Sequence, residues 1–226
     1  MAREAFQQEL EQLEERTLAG LDAVRDELAR AMDAVERRDA AAARPVITAD
    51  DELHARCGVL HHDLLSCIAR QIPVAGDLRL LVALIQVVQH VERMGDQVAN
   101  AARLAITLEQ CPRLDPRVLG CLCEMADIAG DEIAKARAAF AERDVALAHE
   151  LVRDDKAVNR RNRTCFQLAV ELGRDRELRP ALAEVALTAR AVERIGDNAV
   201  DVGEQAAFVV TGELREFSDA SHPVTA

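Results

Sequence analysis

The chain carries an internal repeat, and this repeat limits the possible fold more than any other feature of the sequence. The segment Glu-Arg-Met-Gly-Asp at residues 92–96 recurs as Glu-Arg-Ile-Gly-Asp at residues 193–197, which is 101 positions later. A second pair of matching segments, residues 38–50 and 143–155, lies 105 positions apart. The second half is therefore shorter by about one helical turn between the two segments. Because a duplicated segment repeats one unit of structure, the two halves are predicted to share one fold.

The composition indicates that this repeated unit is helical. Half of the 226 residues are apolar, but only five are Phe and none is Trp or Tyr. Sheets favour aromatic and β-branched residues, whereas closely packed helices favour Ala and Leu. Ten Gly and six Pro provide few interruptions. The sequence therefore predicts an all-α protein with a few long helices.

Apolar periodicity and helix-breaking residues predict six helices. Pro73 and Gly76 separate the second helix from the third, and Asp77 is predicted to cap the third. Asp115 is predicted to cap the fourth helix, with Pro116 at its first position. Gly212 is predicted to end the sixth helix. The predicted helices span residues 3–38, 45–70, 77–109, 116–142, 145–172 and 180–211.

Short connections between these helices predict antiparallel neighbours. The simplest arrangement is a tandem repeat of two three-helix bundles. The first bundle is predicted to span residues 1–110 and the second residues 111–213. Residues 214–226 are predicted to be a flexible tail.

The charge and the cysteines restrict the compartment and the partners. A net charge of −12 argues against nucleic-acid binding and against an anionic membrane surface. The sequence has no apolar signal core and no membrane span, so a cytoplasmic protein without membrane insertion is expected. The six Cys residues form no C-x-x-C motif and are expected to be reduced. Arg160, Arg161 and Arg163 lie near Lys156 and form either a solvated helix face or a docking patch for an acidic partner.

The repeated motif places two carboxylates four residues apart, on one face of a helix, in each half. A similar pair precedes it on the second helix of each unit. Carboxylate, imidazole and amide groups at such positions suit Mg, Mn, Fe or Zn ions. The candidate metal ligands are Asp50, His54, Glu92 and Asp96 in the first half, and Asp155, Asn159, Glu193 and Asp197 in the second.

These acidic motifs have a second interpretation, because a solvated helix face with an intrahelical Glu–Arg pair has the same sequence. Glu92 lies near the apolar stripe of its helix, so its carboxylate is expected to need a partner. The second copy lies further from its stripe and is expected to be more solvated. Gly95 and Gly196 are unfavourable inside helices and indicate close packing or room for a ligand. His54, Cys57 and His61 form a further candidate face for a transition metal.

No known catalytic motif appears in the chain. G-x-x-x-x-G-K-[ST], G-x-S-x-G and H-E-x-x-H are absent, as is the Glu-x-x-His pair of di-iron bundles. The absence of these motifs weakens the case for an enzyme. Two interpretations stay open on these residues, namely a metal-dependent phosphate-ester hydrolase and a helical adaptor without metal.

Residues 71–79, with the sequence Gln-Ile-Pro-Val-Ala-Gly-Asp-Leu-Arg, resemble the Q-x-P-V-A-x-D-L-R segment of the PhoU family. The repeated acidic motif resembles the family's E/D-x-x-x-D signatures, and the similarity extends over about residues 5–213. The resemblance implies a duplicated three-helix bundle, a homodimer and a cytoplasmic regulator. It also implies that this regulator connects the ATPase of the phosphate ABC transporter to a phosphate-sensing histidine kinase and represses the phosphate-starvation response.

The resemblance further implies iron or zinc on the acidic motifs. Ligands would be Glu92, Asp96, Glu193 and Asp197, with contributions from Asp50 and Asp155. The sequence departs from the family at two of the candidate ligands, because His54 and Asn159 replace the second acid of the helix-two motif. Fewer acids are expected to weaken hard-cation binding, and His54 is expected to shift preference toward zinc or iron. Pro45 is expected to delay or kink the second helix.

Overall fold

A computed structural model describes residues 2–217 and contains six α-helices, with no strand in that range. The prediction of an all-α fold with six helices is confirmed. Their bounds are α1 (Ala2–Arg37), α2 (Ala40–Gln71), α3 (Ala75–Glu109), α4 (Pro116–Glu142), α5 (Val145–Leu172) and α6 (Arg179–Thr211).

The connection between the first two helices has the same local structure in both repeats. Arg38 and Arg143 both adopt the left-handed conformation with a φ of 57°. The next residue then caps the following helix, since Asp39 accepts a hydrogen bond from the backbone of Ala42 and Asp144 accepts one from Leu147. The repeat seen in the sequence is therefore also a repeat of helix-capping geometry.

Two predicted helix starts are wrong. α2 begins at Ala40 rather than at Pro45, because the Asp39 cap initiates the helix one turn earlier. Pro45 lies inside α2 on an exposed face, where the carbonyl that loses its N–H partner can bind water. α3 begins at Ala75, so Asp77 lies in its first turn and is not the N-cap. In the first turn, the negative charge of the Asp77 carboxylate stabilises the helix, because it lies near the positive end of the helix dipole.

The connection between α2 and α3 also differs from the prediction. Gly76 was expected to provide the turn, but the left-handed residues are Ile72 and Ala75, with φ values of 46° and 48°. Ile72 and Val74 are strongly exposed there.

The two remaining predicted helix boundaries are confirmed. Asp115 accepts a hydrogen bond from the backbone of Arg117 at the start of α4, and Gly212 ends α6 with a φ of 76°.

The six helices form two three-helix bundles that lie side by side. α1, α2 and α3 pack on one another, and so do α4, α5 and α6. We call these bundles the first and second lobes. α3 also packs along α6, and α1 along α4, so one continuous apolar core extends through both lobes. The lobe boundary predicted at residue 110 falls in the connection between α3 and α4.

A buried polar contact joins the two lobes where α3 meets α6. The Nδ1 atom of His90 lies 2.8 Å from Oδ1 of Asn198 and 3.4 Å from a carboxylate oxygen of Asp201. His90 is buried, so these contacts compensate for its lost hydration.

The chain after α6 folds back over the second lobe as far as it is described. The ring centroid of Phe217 lies 4.3 Å from that of His149 on α5. The backbone N–H of Phe217 donates to a carboxylate oxygen of Glu204 at 2.6 Å. The remainder of the predicted flexible tail, residues 218–226, lies outside the described residues.

The six cysteines form no disulfide among the described residues. Four of them are buried, and burial raises the pKa of Cys57 to about 11. The thiol of Cys57 is therefore neutral at physiological pH and packs as a small apolar group. No helix between residues 2 and 217 has the length and apolar character that crossing a membrane requires.

Candidate functional site

The first lobe brings α2 and α3 together at the predicted acidic site. Nδ1 of His54 lies 2.9 Å from Oε1 of Glu92, although the His54 side chain is 72 % exposed. Asp50 lies one turn before His54, and its pKa is raised by burial and then by the negative charges of Asp96 and Asp51. The four candidate ligands of this lobe therefore form one cluster between α2 and α3, which we call the first acidic cluster.

Gly95 permits the close approach of α2 to α3 in this cluster. A Cβ atom at Gly95 would lie 2.5 Å from Cδ2 of Leu53 and 3.1 Å from Oδ1 of Asp50. Close packing, one of the two reasons predicted for this helical glycine, is thus observed. The absence of a side chain brings the Asp50 carboxylate directly over the backbone of α3.

The second lobe has an equivalent cluster, but it is more deeply buried. Asp155 and Asn159 on α5 are both buried, and Nδ2 of Asn159 donates to Oδ2 of Asp155 at 2.6 Å. Glu193 on α6 is only 13 % exposed and pairs with Arg190 on its own helix. We call these residues, together with Asp197, the second acidic cluster. The expectation that this copy is more solvated than the first is wrong, because α4 and α5 pack closely over it.

A carboxylate missed by the sequence reasoning lies inside the second acidic cluster. Glu132 on α4 is 1 % exposed, and neither of its carboxyl oxygens has a hydrogen-bond partner within residues 2–217. A Cβ atom at Gly196 would lie 2.7 Å from Oε2 of Glu132 and 3.2 Å from Oδ1 of Asp155. The two carboxylates therefore meet over the same glycine of α6.

The electrostatics of Glu132 reflect this crowding. Its pKa is raised to about 9, first by burial and then by the charges of Asp155, Asp154 and Asp197. Lys135, one turn later on α4, pairs with Asp154 and with Glu150, and its charge lowers the pKa of Glu132 by less than burial and the carboxylates raise it. Glu132 is consequently protonated at neutral pH, and a cation placed beside it would favour its ionised form.

The first lobe contains the counterpart of Glu132. Glu27 on α1 lies 105 positions before Glu132, the same offset that relates the capping turns. One of its carboxyl oxygens accepts from Arg30 at 2.5 Å, while the other is buried without a partner in the described residues. Glu27 lines a small cavity of about 120 Å³ together with Asp50 and Gly95. The repeat offset in the sequence could have identified this pair of acids.

The second proposed metal face, on α2 alone, is not assembled. Cys57 is buried, whereas His54 is exposed and contacts Glu92. Across residues 2–217, no three His, Cys, Asp or Glu side chains are arranged as they stand to bind one ion. Metal binding at the eight candidate ligands stays a prediction.

The basic segment of α5 is mostly solvated. Arg161 pairs with Glu124 on α4 at 2.8 Å. Lys156, Arg160 and Arg163 are exposed and form no ion pair with another described residue. Both interpretations of this segment, a solvated face and a docking patch, are compatible with these positions.

Comparison with known proteins places the repeat in a family. The PhoU domain matches residues 21–105 and again residues 122–206, so both lobes are covered. The chain is 30% identical over 219 residues to phosphate-specific transport system accessory protein PhoU homolog 1 of Mycobacterium leprae, covering 95% of this chain and 96% of that protein. A protein with the same name in Methanothermobacter thermautotrophicus is 34% identical over 68% of this chain and 70% of its own length.

Solved structures show the same architecture. PhoU from Pseudomonas aeruginosa superimposes with a TM-score of 0.85 at 28% identity, covering 92% of this chain and 100% of that structure. The regulatory protein PhoU from Streptococcus pneumoniae superimposes with a TM-score of 0.86 at 21% identity, covering 93% of this chain and 99% of that structure. The duplicated motif, the two lobes and these matches agree, and the chain belongs to the PhoU domain family.

Proposed function

We propose that this chain is a cytoplasmic negative regulator of phosphate uptake and of phosphate-starvation signalling. In this proposal it contacts the ATPase subunit of the phosphate ABC transporter and a phosphate-sensing histidine kinase, and it has no catalytic activity of its own. The observation that carries the proposal is the match, over nearly the full length of both chains, to a protein named as a phosphate-specific transport system accessory protein.

Exposed apolar side chains support action through protein contacts. Ile72 and Val74 in the α2–α3 connection are 80% and 72% exposed, and Leu78 follows them on α3. Phe166 and Leu187 are exposed on the second lobe. Adjacent exposed apolar groups of this kind are typical of protein interaction sites.

The regulatory proposal is tested by deleting the gene and measuring phosphate-starvation transcripts in phosphate-rich medium. Derepression is expected, and normal repression in the deletion strain would contradict the proposal. Complementation with Val74→Asp is expected to fail if the α2–α3 connection contacts a partner. Leu214→Asp is the matched control, because Leu214 is equally exposed but lies at the other end of the chain.

Direct binding separates the two proposed partners. Purified protein is titrated into the isolated transporter ATPase and into the cytoplasmic part of the kinase, at high and at low phosphate. Binding to either one supports the link, and binding to neither removes it. Light scattering on the same samples tests the proposed homodimer.

We also propose that the acidic clusters bind divalent, iron or zinc ions. Glu132 favours this proposal, because a buried carboxyl group without a hydrogen-bond partner is unusual and a cation would compensate it. In the second cluster Glu132 would bind the ion with Asp155 and Asp197, and in the first cluster Asp50, Glu92 and Asp96 would do so with His54. A bound ion would supply positive charge that attracts anions to an otherwise acidic surface.

Metal analysis of protein purified without chelator tests this second proposal. Bound metal that is lost in Asp155→Asn but kept in the exposed control Glu142→Gln is expected. Protein without bound metal that also fails to bind added Mn²⁺, Fe²⁺ or Zn²⁺ would favour the adaptor without metal. Phosphatase activity that disappears when Glu92 and Asp96 are both changed to Ala would instead favour the hydrolase alternative.

A further inference from the structure

A cleft between α1 and α2 lies outside both acidic clusters. It encloses about 450 Å³ above α3 and opens to solvent along the first lobe. This volume is within the range of about 300–1,000 Å³ that is usual for small-molecule sites. The residues that define its floor and rim are Arg16, Gly20, Arg56, Val59, Val88 and Val91.

The repeat shows how the two lobes differ at this position. Gly20 on α1 corresponds, at the offset of 105 positions, to Met125 on α4, which is fully buried in the second lobe. A Cβ atom at Gly20 would lie 3.0 Å from Cγ1 of Val91, so the glycine lets α1 lie close to α3 at the floor of the cleft. The cleft opens between α1 and α2, because α1 packs less extensively on α2 than α4 packs on α5.

The lining of the cleft is apolar inside and basic at the rim. Val88 and Val91 of α3 form the floor, and the Cys57 thiol is neutral because burial raises its pKa to about 11. Thr17 donates its hydroxyl to the Leu13 carbonyl at 2.8 Å, which leaves that donor occupied. The interior therefore favours an uncharged, apolar group.

The charged side chains that line the cleft are both arginines. Arg16 pairs with Asp63 on α2 at 2.8 Å. Arg56 is exposed and forms no ion pair with any described residue. A guanidinium group binds carboxylates through two parallel hydrogen bonds. Arg56 also lines the adjoining cavity of about 120 Å³, whose other charged side chains are Glu27, Asp50 and Glu52, so an anionic head group is matched by Arg56 alone, on its side away from these carboxylates.

We propose that the cleft between α1 and α2 binds a free amphipathic carboxylate with an apolar chain. The chain lies against Val59, Val88 and Val91, and the carboxylate accepts hydrogen bonds from Arg56. This inference is independent of the regulatory proposal, because no protein partner takes part in it.

Calorimetric titration with octanoate and with 1-octanol tests the proposal. Octanoate is expected to bind with one-to-one stoichiometry. Octanol is expected to bind at least about tenfold more weakly, because a hydrogen bond to a charged group contributes about 1.5–3 kcal/mol. Equal affinity for the two ligands would contradict the assigned role of Arg56.

Three variants locate the binding to the cleft. Gly20→Met introduces the side chain of the second lobe and is expected to abolish octanoate binding. Its Cβ would lie 3.0 Å from Cγ1 of Val91, so circular dichroism must show that the variant is folded. Val59→Glu, at a 57% exposed position, and Arg56→Glu are each expected to lower affinity at least about tenfold without a packing change.

Matched controls make the same changes elsewhere. Gly120→Met alters an exposed helical glycine with open space around its Cβ, and Arg160→Glu reverses an exposed arginine on α5. Both controls are expected to bind octanoate as the wild type does. Octanoate binding that survives in Gly20→Met and Val59→Glu would overturn the proposal. Binding to phosphatidylglycerol vesicles without binding of free octanoate would also overturn it, because the ligand would then be a membrane lipid.

Discussion

The substitution Glu132→Gln is predicted to remove a pH dependence of folding stability. Glu132 is buried at the contact of α4, α5 and α6, without a hydrogen-bond partner in the described residues. Its pKa is raised from an ordinary value of 4.5 to about 9 by burial and by neighbouring carboxylates. Glutamine has nearly the same shape but no proton to lose, so the substitution changes the titration with little change in packing.

Proton linkage gives the sign and the size of the change in folding stability with pH. Between pH 4.5 and pH 9 the folded protein keeps the Glu132 proton, while the unfolded chain releases it. The stability from this proton is complete below the unfolded pKa and is lost as the pH rises toward the folded pKa. Each pH unit corresponds to about 1.4 kcal/mol, so the wild type is predicted to lose about 2.5 kcal/mol between pH 5.5 and 7.5 through this residue. That amount is a large part of a typical stability of about 5–15 kcal/mol.

The assay is urea unfolding followed by circular dichroism at both pH values, with a chelator present to exclude metal binding. Titration of all other groups is common to both proteins and cancels in the difference. The stability of Glu132→Gln relative to wild type is expected to rise by about 2.5 kcal/mol from pH 5.5 to 7.5. The exposed control Glu142→Gln is expected to follow the wild type. The reasoning is refuted if the free energy of unfolding changes between the two pH values by the same amount in Glu132→Gln and in the wild type.

Four further predictions concern packing and reactivity. Gly196→Ala is expected to destabilise the fold by about 1–3 kcal/mol, because its Cβ would lie 2.7 Å from a Glu132 oxygen. Gly120→Ala, with open space around the Cβ, is expected to stabilise it by up to about 1 kcal/mol in the same denaturation assay. Phe217→Ala is expected to lower the melting temperature, since it removes about 1 kcal/mol of ring packing on α5. Cys57, with a pKa of about 11, is expected to react with iodoacetamide at pH 8 roughly 100-fold more slowly in the folded than in the unfolded protein, as measured by peptide mass spectrometry.

Local features of the fold were predictable where a single residue type determines them. Asp115 caps α4 because its carboxylate accepts a backbone N–H, and Gly212 ends α6 because it tolerates a positive φ. The start of α2 was not predictable from Pro45, since the cap at Asp39 and the packing of the first turn outweigh one missing hydrogen bond. Ile72 adopts a left-handed conformation that its own side chain disfavours, and in it the backbone N–H of Ile72 donates to the carbonyl of Ile68 and closes α2.

The candidate site was predictable only in part. The i, i+4 spacing placed Asp50 with His54 and Glu92 with Asp96, and the structure brings these two pairs together between α2 and α3. Glu132 belongs to a third helix, and no local pattern in α4 marks it. Only the repeat offset that relates it to Glu27 could have indicated it.

By itself, the sequence determined the helical class, the duplication and the family. Composition, apolar period and repeated motifs can all be recognised without knowing which distant residues come into contact. Only the tertiary structure decided how the two copies differ. Burial depends on which helices lie over a site: Asn159 on α5 is buried, while its repeat counterpart His54 on α2 is 72 % exposed. The cleft of the first lobe has a related cause, because α1 packs less extensively on α2 than α4 packs on α5.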